Sequence, residues 1–446
     1  MSDLLTIGAT GVRAYQTALT TTSENIANAG TVGYSRRTTV LAEVAAPSSA
    51  TSKIPNGLGV VVSGVTRAAD LYRSAEVRTA GSDLARSEAG AAWLDRIDGA
   101  LSGNKLGDRL TAFFTSTKAI AADPSALAPR ATTLEAAHSV ATAFSATGAA
   151  LSAAASDLDA SANAATTQLN GLSAALAKVN SGLTRAQDGS AANSALLDQR
   201  DQILESMSAI TDVSVSFDGI GRAVVRAGGE GGPVLVQGVE SSTVSYARND
   251  EGAVAFTNRI GNTVSTLSPS GGAFAGYADG AQKITAAQAQ LNGQATAFAQ
   301  GVNAVQAAGV DLDGNPGQPI FAIGDPASNL TTVLDDPRGI AAAAPGAGPR
   351  DNSNLAGFDT LRSTGNVEGA ITNMTASNGA ALAAKRNVAE AQTAIRDTAV
   401  SARDSVSGVN IDEEAVDLMR FQQAYQASSR VIQVARETLQ SILDIR

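Results

Sequence analysis

Apolar residues recur every seven positions near both ends of the sequence, which predicts two long helices. Near the start, the large apolar members of the repeat are Leu5, Val12, Leu19 and Ile26. Near the end, the repeat contains Leu418, Tyr425, Ile432 and Leu439, with Phe421 in the complementary position. A sustained seven-residue repeat is typical of helices that pair along a narrow seam. These nine residues are therefore our candidates for a helix-pairing and assembly interface.

Local signals set limits on the two helices. Asn410 is followed three residues later by Glu413, which is typical of a helix cap and its reciprocal partner. This pair predicts a helix over residues 411–445. Gly30, which follows the first repeat, predicts a left-handed stop for the first helix.

The middle of the chain alternates between helical and extended patterns. After an extended segment at 36–75, the periodicity predicts helices over 82–210, 281–309 and 374–406. Short β-branched runs separated by Gly, Asn and Asp predict strands from 211 to about 270. We therefore expect an α+β, mainly α, multidomain fold with coiled-coil-like terminal helices, an elongated helical body and an all-β insert.

The predicted domains are nested in the chain. The terminal helical assembly domain combines residues 1–35 with 409–446. The helical body, with short β elements, combines residues 36–210 with 276–408. The β-rich insert occupies residues 211–275, and the Pro- and Gly-rich stretch within the second half of the body shows no regular pattern.

Composition narrows the classes of function. Hydrophobic residues make up 44% of the 446 residues and aromatic residues only 4%, a balance that suits long helices better than one large core. The formal net charge of −10, without a basic run, argues against nucleic-acid binding. The sequence contains no cysteine and no apolar run of the roughly 20 residues that would span a bilayer. Its first residues lack the pattern of a cleavable signal peptide.

The sequence offers no convincing catalytic, metal or cofactor site. The single histidine, His138, lies in a helical pattern, where a packing or surface role is the commoner one. The run from Asp311 resembles a calcium loop but has Pro316 in place of the required glycine and Ala322 in place of the last acid. A turn is the simpler interpretation. We therefore expect a protein without enzymatic activity.

Two terminal motifs identify a resemblance. NIANAGTVGYSRR (25–37) resembles the amino-terminal signature of the bacterial flagellar axial family, which comprises rod, hook and hook-associated proteins. GVNIDEEAVDLMRFQQAYQASSRVIQVARETLQSIL (408–443) resembles the helix that these proteins share at their other end. GYSRR (33–37) and NSALLDQRDQILESMSAITDVSVSF (193–217) are similar to the hook-associated members that join hook to filament.

The resemblance implies a structural role. Subunits would form a homo-oligomeric tubular ring beyond the hook protein, followed by a second junction protein and the filament. The chain would be secreted through the flagellar type III apparatus without a cleavable signal, and an export chaperone would hold its C-terminal helix until then. The paired termini would form the inner tube, with the insert facing solvent.

Alternatives remain at this point. The chain could be another rod or hook component, or a secreted adhesin or enzyme whose insert binds a ligand. The apolar seam residues are also few for the length of helix that they must order. We therefore expect the two ends to be loosely held in the free chain and to become ordered when neighbouring subunits cover them.

Overall fold

The computed structural model describes residues 2–44, 58–249 and 251–444, and long helices dominate it. The helices are α1 (Ser2–Ala27), α2 (Leu71–Gly103), α3 (Leu106–Ala122), α4 (Leu127–Arg185), α5 (Ala191–Ile210), α6 (Gly272–Ala308), α7 (Ala356–Gly365), α8 (Val367–Ser407) and α9 (Ile411–Asp444). At about 1.5 Å per residue, the 59 residues of α4 extend for about 88 Å. This helix is the longest element of the body.

The strands form small antiparallel sheets. The strands are β1 (Arg37–Glu43), β2 (Val60–Arg67), β3 (Val213–Phe217), β4 (Ala223–Ala227), β5 (Val234–Gln237), β6 (Glu240–Ser241), β7 (Thr243–Arg248), β8 (Val254–Ile260), β9 (Thr263–Leu267), β10 (Phe321–Ile323) and β11 (Leu330–Thr332). β1 pairs with β2 and β10 with β11, whereas β3–β6 form one sheet and β7–β9 another. The predicted extended segment is thus a hairpin, although residues 45–57 of it lie outside the described residues.

One side of α4 is buried along the helix. Its large apolar residues Phe144, Leu151, Leu158, Leu169, Leu176 and Leu183 are each at most 2% exposed. One end of α4 packs against α2, α3 and α6 around an aromatic cluster in which the ring of Phe113 lies 5.4 Å from that of Phe298. The other end packs against α5 and the sheets of the insert.

The insert leaves and rejoins the body at one place. The carboxylate of Asp212, just after α5, accepts hydrogen bonds from the backbone N–H and the hydroxyl of Ser270, just before α6. Gly272 has a φ of 69°, and a Cβ there would lie 2.5 Å from the carbonyl carbon of Ile210. The two connections therefore lie side by side.

Three helices begin earlier than the pattern predicts. α2 begins at Leu71, inside the segment expected to be extended (36–75), because the side chain of Asp70 caps it by accepting hydrogen bonds from the backbone N–H groups of Tyr72 and Arg73. α6 begins at Gly272 and not at Ala281, because its first turns are glycine-rich and conceal the apolar period. Gly276 and Gly280 pack directly on α2, where a Cβ at Gly280 would lie 2.6 Å from Trp93. α8 likewise begins at Val367, ahead of Met374.

The predicted fold class is confirmed: the chain is mainly α-helical, with antiparallel sheets in the middle. α6 begins inside the range expected for the insert (211–275), because the strands end at Leu267. The stretch between α6 and α8, which showed no regular pattern, contains β10, β11 and α7.

Candidate assembly interface

The two terminal helices pack along each other in opposite directions. The ring centroid of Tyr15 lies 6.5 Å from that of Phe421, and Asn25 contacts Glu414 through a 3.0 Å hydrogen bond. Gly8 lies beside Ile432. Since the number rises along α1 as it falls along α9, the pair is antiparallel.

Small residues of α1 bring the helices close together. A Cβ on Gly8 would lie 2.6 Å from Cγ1 of Ile432, and one on Gly11 would lie 2.7 Å from the hydroxyl oxygen of Ser428. Both distances are too short for an ordinary contact, so glycine is required for this approach. The fully buried residues of α1 share this small size or are polar: Gly8, Gly11, Ala14, Ala18, Thr21, Thr22 and Asn25.

The nine predicted seam residues are only partly covered within one chain. Leu5, Val12, Leu19, Ile26, Leu418, Phe421, Tyr425 and Ile432 are all half-buried. Leu439 is 42% exposed. The structure brings Ile432 and Phe421 against α1, but the large residues of α1 lie along the flank of the contact and its small residues lie at the centre. Their role in contacts between subunits remains a prediction.

A buried carboxylate joins the two helices at the other end of the pair. Glu414, in the first turn of α9, is only 1% exposed. Its Oε2 accepts a 3.0 Å hydrogen bond from the side-chain amide of Asn25, and its Oε1 accepts a 2.6 Å bond from Nε of Arg36. The bond to Glu414 raises the pKa of Arg36. We call Asn25, Arg36 and Glu414 the polar latch.

Asn25 connects the latch to the loop that follows α1. Its Nδ2 also donates to the backbone carbonyl of Arg37, while its Oδ1 accepts from the backbone N–H of Arg37 and from the hydroxyl of Tyr34. Burial raises the pKa of Tyr34 above its ordinary value. The hydrogen-bonding groups of this buried amide are therefore all occupied, as burial requires.

A second ionic network attaches the hairpin to the body. Asp198 of α5 receives Nη2 of Arg37 at 3.1 Å and Nη1 of Arg67 at 2.9 Å. Arg67 also binds Asp201 at 2.7 Å. Burial would lower the pKa of Arg67, but these two carboxylates more than offset it, and the pKa is raised. The network ties β1 and β2 to α5.

The three segments that carried the family resemblance therefore converge here. Residues 25–37 supply Asn25 and Arg36, residues 193–217 supply Asp198, and residues 408–443 supply Glu414. Sequence reasoning missed this polar cluster. Asn25 and Glu414 lie 389 positions apart, so no local pattern indicates that they are in contact. The only indication in the sequence is that each lies in one of the motifs that carry the family resemblance.

The predicted cap of α9 is found in the structure, whereas the predicted stop of α1 is not at the expected glycine. Asn410 accepts a hydrogen bond from the backbone N–H of Asp412 and donates to Glu413, as predicted. The left-handed glycine after α1 is Gly33, with a φ of 78°, and not Gly30. The space beside Gly33 is filled by Gln202, which donates to the carbonyl of the preceding residue.

His138 and Asp311, which were considered as catalytic or metal-binding candidates, make ordinary hydrogen bonds within the fold. His138 is exposed on α4, with Nδ1 3.2 Å from the hydroxyl of Thr332. Asp311 accepts two backbone N–H groups in a tight turn. No group of three or more His, Cys, Asp or Glu suited to a metal ion occurs within residues 2–44, 58–249 and 251–444. Over the same ranges, no helix has the length and apolar character to cross a membrane.

Comparison with known proteins identifies the family. The model of the flagellar hook-associated protein FlgK helical domain matches residues 94–321, just over half of the chain. The model of the flagellar basal body rod FlgEFG protein C-terminal region matches residues 401–445, which include α9. The second match includes α9, whereas the first covers part of the body and the whole of the region expected for the insert.

Individual relatives agree. The chain is 26% identical to flagellar hook-associated protein 1 of Escherichia coli (strain K12), with both proteins covered over their full length. It is 29% identical to the protein of that name from Salmonella typhimurium, over 73% of this chain and 60% of the relative. The structure of the flagellar hook junction protein FlgK from Burkholderia pseudomallei aligns over 56% of this chain and 47% of its own, with a TM-score of 0.50 and 23% identity, and so shows a shared fold.

Because the model of the helical domain matches more than half of the chain, the chain belongs to the flagellar hook-associated protein FlgK family.

Proposed function

We propose that this chain is a structural, non-catalytic subunit of the junction between the flagellar hook and filament. Neighbouring copies are joined through α1 and α9, with Leu5, Val12, Leu19, Ile26, Leu418, Phe421, Tyr425, Ile432 and Leu439 at the contact. Family membership supports the flagellar role. The observation that carries the mode of assembly is the incomplete covering of α9.

α9 has apolar residues on two sides. One side packs on α1, and the opposite side exposes Val416 (60%), Met419 (56%) and Val434 (59%). A helix that is apolar on both sides buries both only between two partners. Among the described elements, α1 is the one that packs along α9, so a second partner from a neighbouring subunit would complete the burial.

The partners follow from the same proposal. Copies of this chain form a homo-oligomeric tubular ring, placed between the hook protein and the second junction protein. Before export by the type III route, a chaperone covers the apolar faces of the C-terminal helix. Covering is needed because an exposed helix with two apolar sides favours aggregation.

Locating the protein on intact flagella tests the proposal. A strain that lacks the gene is complemented with a tagged copy, and the tag is labelled with gold on isolated flagella. We expect label at the boundary of hook and filament. Label on the rod side of the hook would favour a rod or hook component, and label along the cell surface would favour an adhesin.

Hydrogen exchange tests the mode of assembly. We expect rapid exchange in α1 and α9 of the dilute free chain and slow exchange in the assembled junction, while α4 is protected in both. Slow exchange of both terminal helices in the free chain would show that one copy is enough to order them, and would refute assembly-coupled ordering.

A further inference from the structure

The apolar seam leaves the register of the terminal helices open. Both helices repeat their apolar residues every seven positions. If α9 moved along α1 by one repeat, about 10.5 Å at 1.5 Å per residue, the repeat positions of α9 would again lie beside repeat positions of α1. Movement toward α8 needs only unwinding of the first turns of α9, so the chain connection permits it.

Apolar contact alone does not decide between the two registers, because the shift would replace Phe421 by Ser428 opposite Tyr15 but would cover apolar residues near the end of α9. The shift brings Leu439 opposite Gly8 and Ile442 opposite Leu5. These residues of α9 are 42% and 55% exposed in the observed register. A determinant other than the seam must therefore hold the helices where they are.

The polar latch has the required property, because it exists in one register only. The shift would place Phe421 opposite Asn25 and would remove Glu414 from both Asn25 and Arg36. A buried amide would then face an aromatic ring, which is unfavourable. Buried polar residues in paired helices are known to act in this way, by specifying register and not by adding stability.

We propose that Asn25 and Glu414 fix the register of α1 against α9, while the seam supplies the pairing. The benefit to a junction subunit rests on the proposed function: only one register gives every copy the same exposed surface. The register can be tested on the single chain, because rapid exchange requires only that the helices open often, and a disulfide traps them in the register in which they pair.

The cysteine-free sequence allows the register to be trapped by disulfides. In the observed register, a Cβ on Gly11 lies 3.2 Å from Cβ of Ser428, so the pair Gly11→Cys/Ser428→Cys reports this register. The pair Gly11→Cys/Ala435→Cys reports the shifted one, because Ala435 lies seven residues further along. A disulfide needs Cβ atoms about 3.5–4.5 Å apart, so the helices must separate slightly to form it, whereas a displacement of about 10.5 Å prevents it. Both pairs carry Gly11→Cys, so the crowding that this change causes is the same in every background, and the yields are compared between backgrounds within one pair.

Both cysteine pairs are placed in three backgrounds: the otherwise unchanged chain, Glu414→Leu, and Glu413→Leu as the matched control. The side chain of Glu413 is 61% exposed and lies 3.7 Å from Arg36. The dilute full-length chain is oxidised, and the disulfide yield is measured by peptide mapping. Circular dichroism records the helix content of each variant.

With Glu414→Leu, we expect the yield of the shifted disulfide to rise by about tenfold or more and that of the observed register to fall. A tenfold change corresponds to only about 1.4 kcal/mol. Glu413→Leu should behave like the unchanged chain. Exclusive trapping of the observed register in Glu414→Leu would overturn the proposal and assign the register to the glycine contacts.

Two other outcomes would also overturn it: loss of both disulfides in Glu414→Leu, since the seam would then not suffice for pairing, and equal behaviour of Glu413→Leu and Glu414→Leu. Each of these results is read on the free chain. A failure of ring formation in cells, by contrast, bears on the proposed function alone.

Discussion

Replacing Ile432 by aspartate tests whether the contact between α1 and α9 is needed for function. Ile432 is half-buried, and its Cγ1 occupies the space next to Gly8. Full burial of an isoleucine contributes about 1.5–3 kcal/mol, so half burial contributes about 1 kcal/mol. Placing a carboxylate against the backbone of α1 adds about 2 kcal/mol of desolvation. The pairing equilibrium should therefore weaken by about 3 kcal/mol, roughly a hundredfold.

The assay combines function and folding. Ile432→Asp should abolish swimming and junction formation in a complemented deletion strain, while the thermal unfolding of the helical body stays unchanged, because α4 lies in a separate core. Gln433→Asp is the matched control: it adds the same charge at the adjacent, exposed position and should support swimming. A motile Ile432→Asp strain with normal junctions would refute the reasoning.

Three further changes test other parts of the structure. Gly8→Ala should weaken helix pairing, because its Cβ would meet Ile432 at 2.6 Å. Gly99→Ala has open space around it and should raise the melting temperature. Equal effects of the two changes in thermal scans would contradict the close approach of α1 and α9. Arg130→Met should lower the free energy of unfolding in urea by about 3 kcal/mol, because the buried guanidinium donates to two backbone carbonyls; an unchanged midpoint would contradict this. Burial, and then a hydrogen bond to the carboxylate of Asp159, raise the pKa of Tyr246. The stabilising effect of the neutral Tyr246 is therefore complete below pH 10 and is lost as the pH rises through the folded-state pKa. Between pH 9 and pH 11, Tyr246→Phe should lose less stability than the unchanged chain, and an equal loss would refute the assignment.

The helices and strands were largely predictable because their apolar periods are regular. The apolar residues Phe144, Leu158 and Leu176 are buried along one side of α4, as expected for a helix within the predicted stretch 82–210. The strands between 211 and 270 followed from β-branched runs between turn residues. The start of α6 at Gly272 was less predictable, because the glycines that allow close packing on α2 interrupt the apolar periodicity of the helix.

The details of the interface were harder to predict for two physical reasons. A seam is usually assigned to the largest apolar residues, but close approach of helices places the smallest ones, such as Gly8 and Gly11, at the centre. The polar latch depends on side chains that are distant in sequence, and periodicity carries no information about such partners. In the sequence, Glu414 is one of three acids in the first turn of a helix, but in the structure it is buried and accepts two hydrogen bonds.

The adjacency of Asp212 and Ser270 has a consequence for how such proteins can change. Both connections of the β region stand next to each other on the rest of the molecule, bridged by one carboxylate. A segment attached at two neighbouring points can be exchanged for a larger or smaller one without moving the framework that holds it. This point of the chain is accordingly suited to accept a foreign domain in place of the native strands.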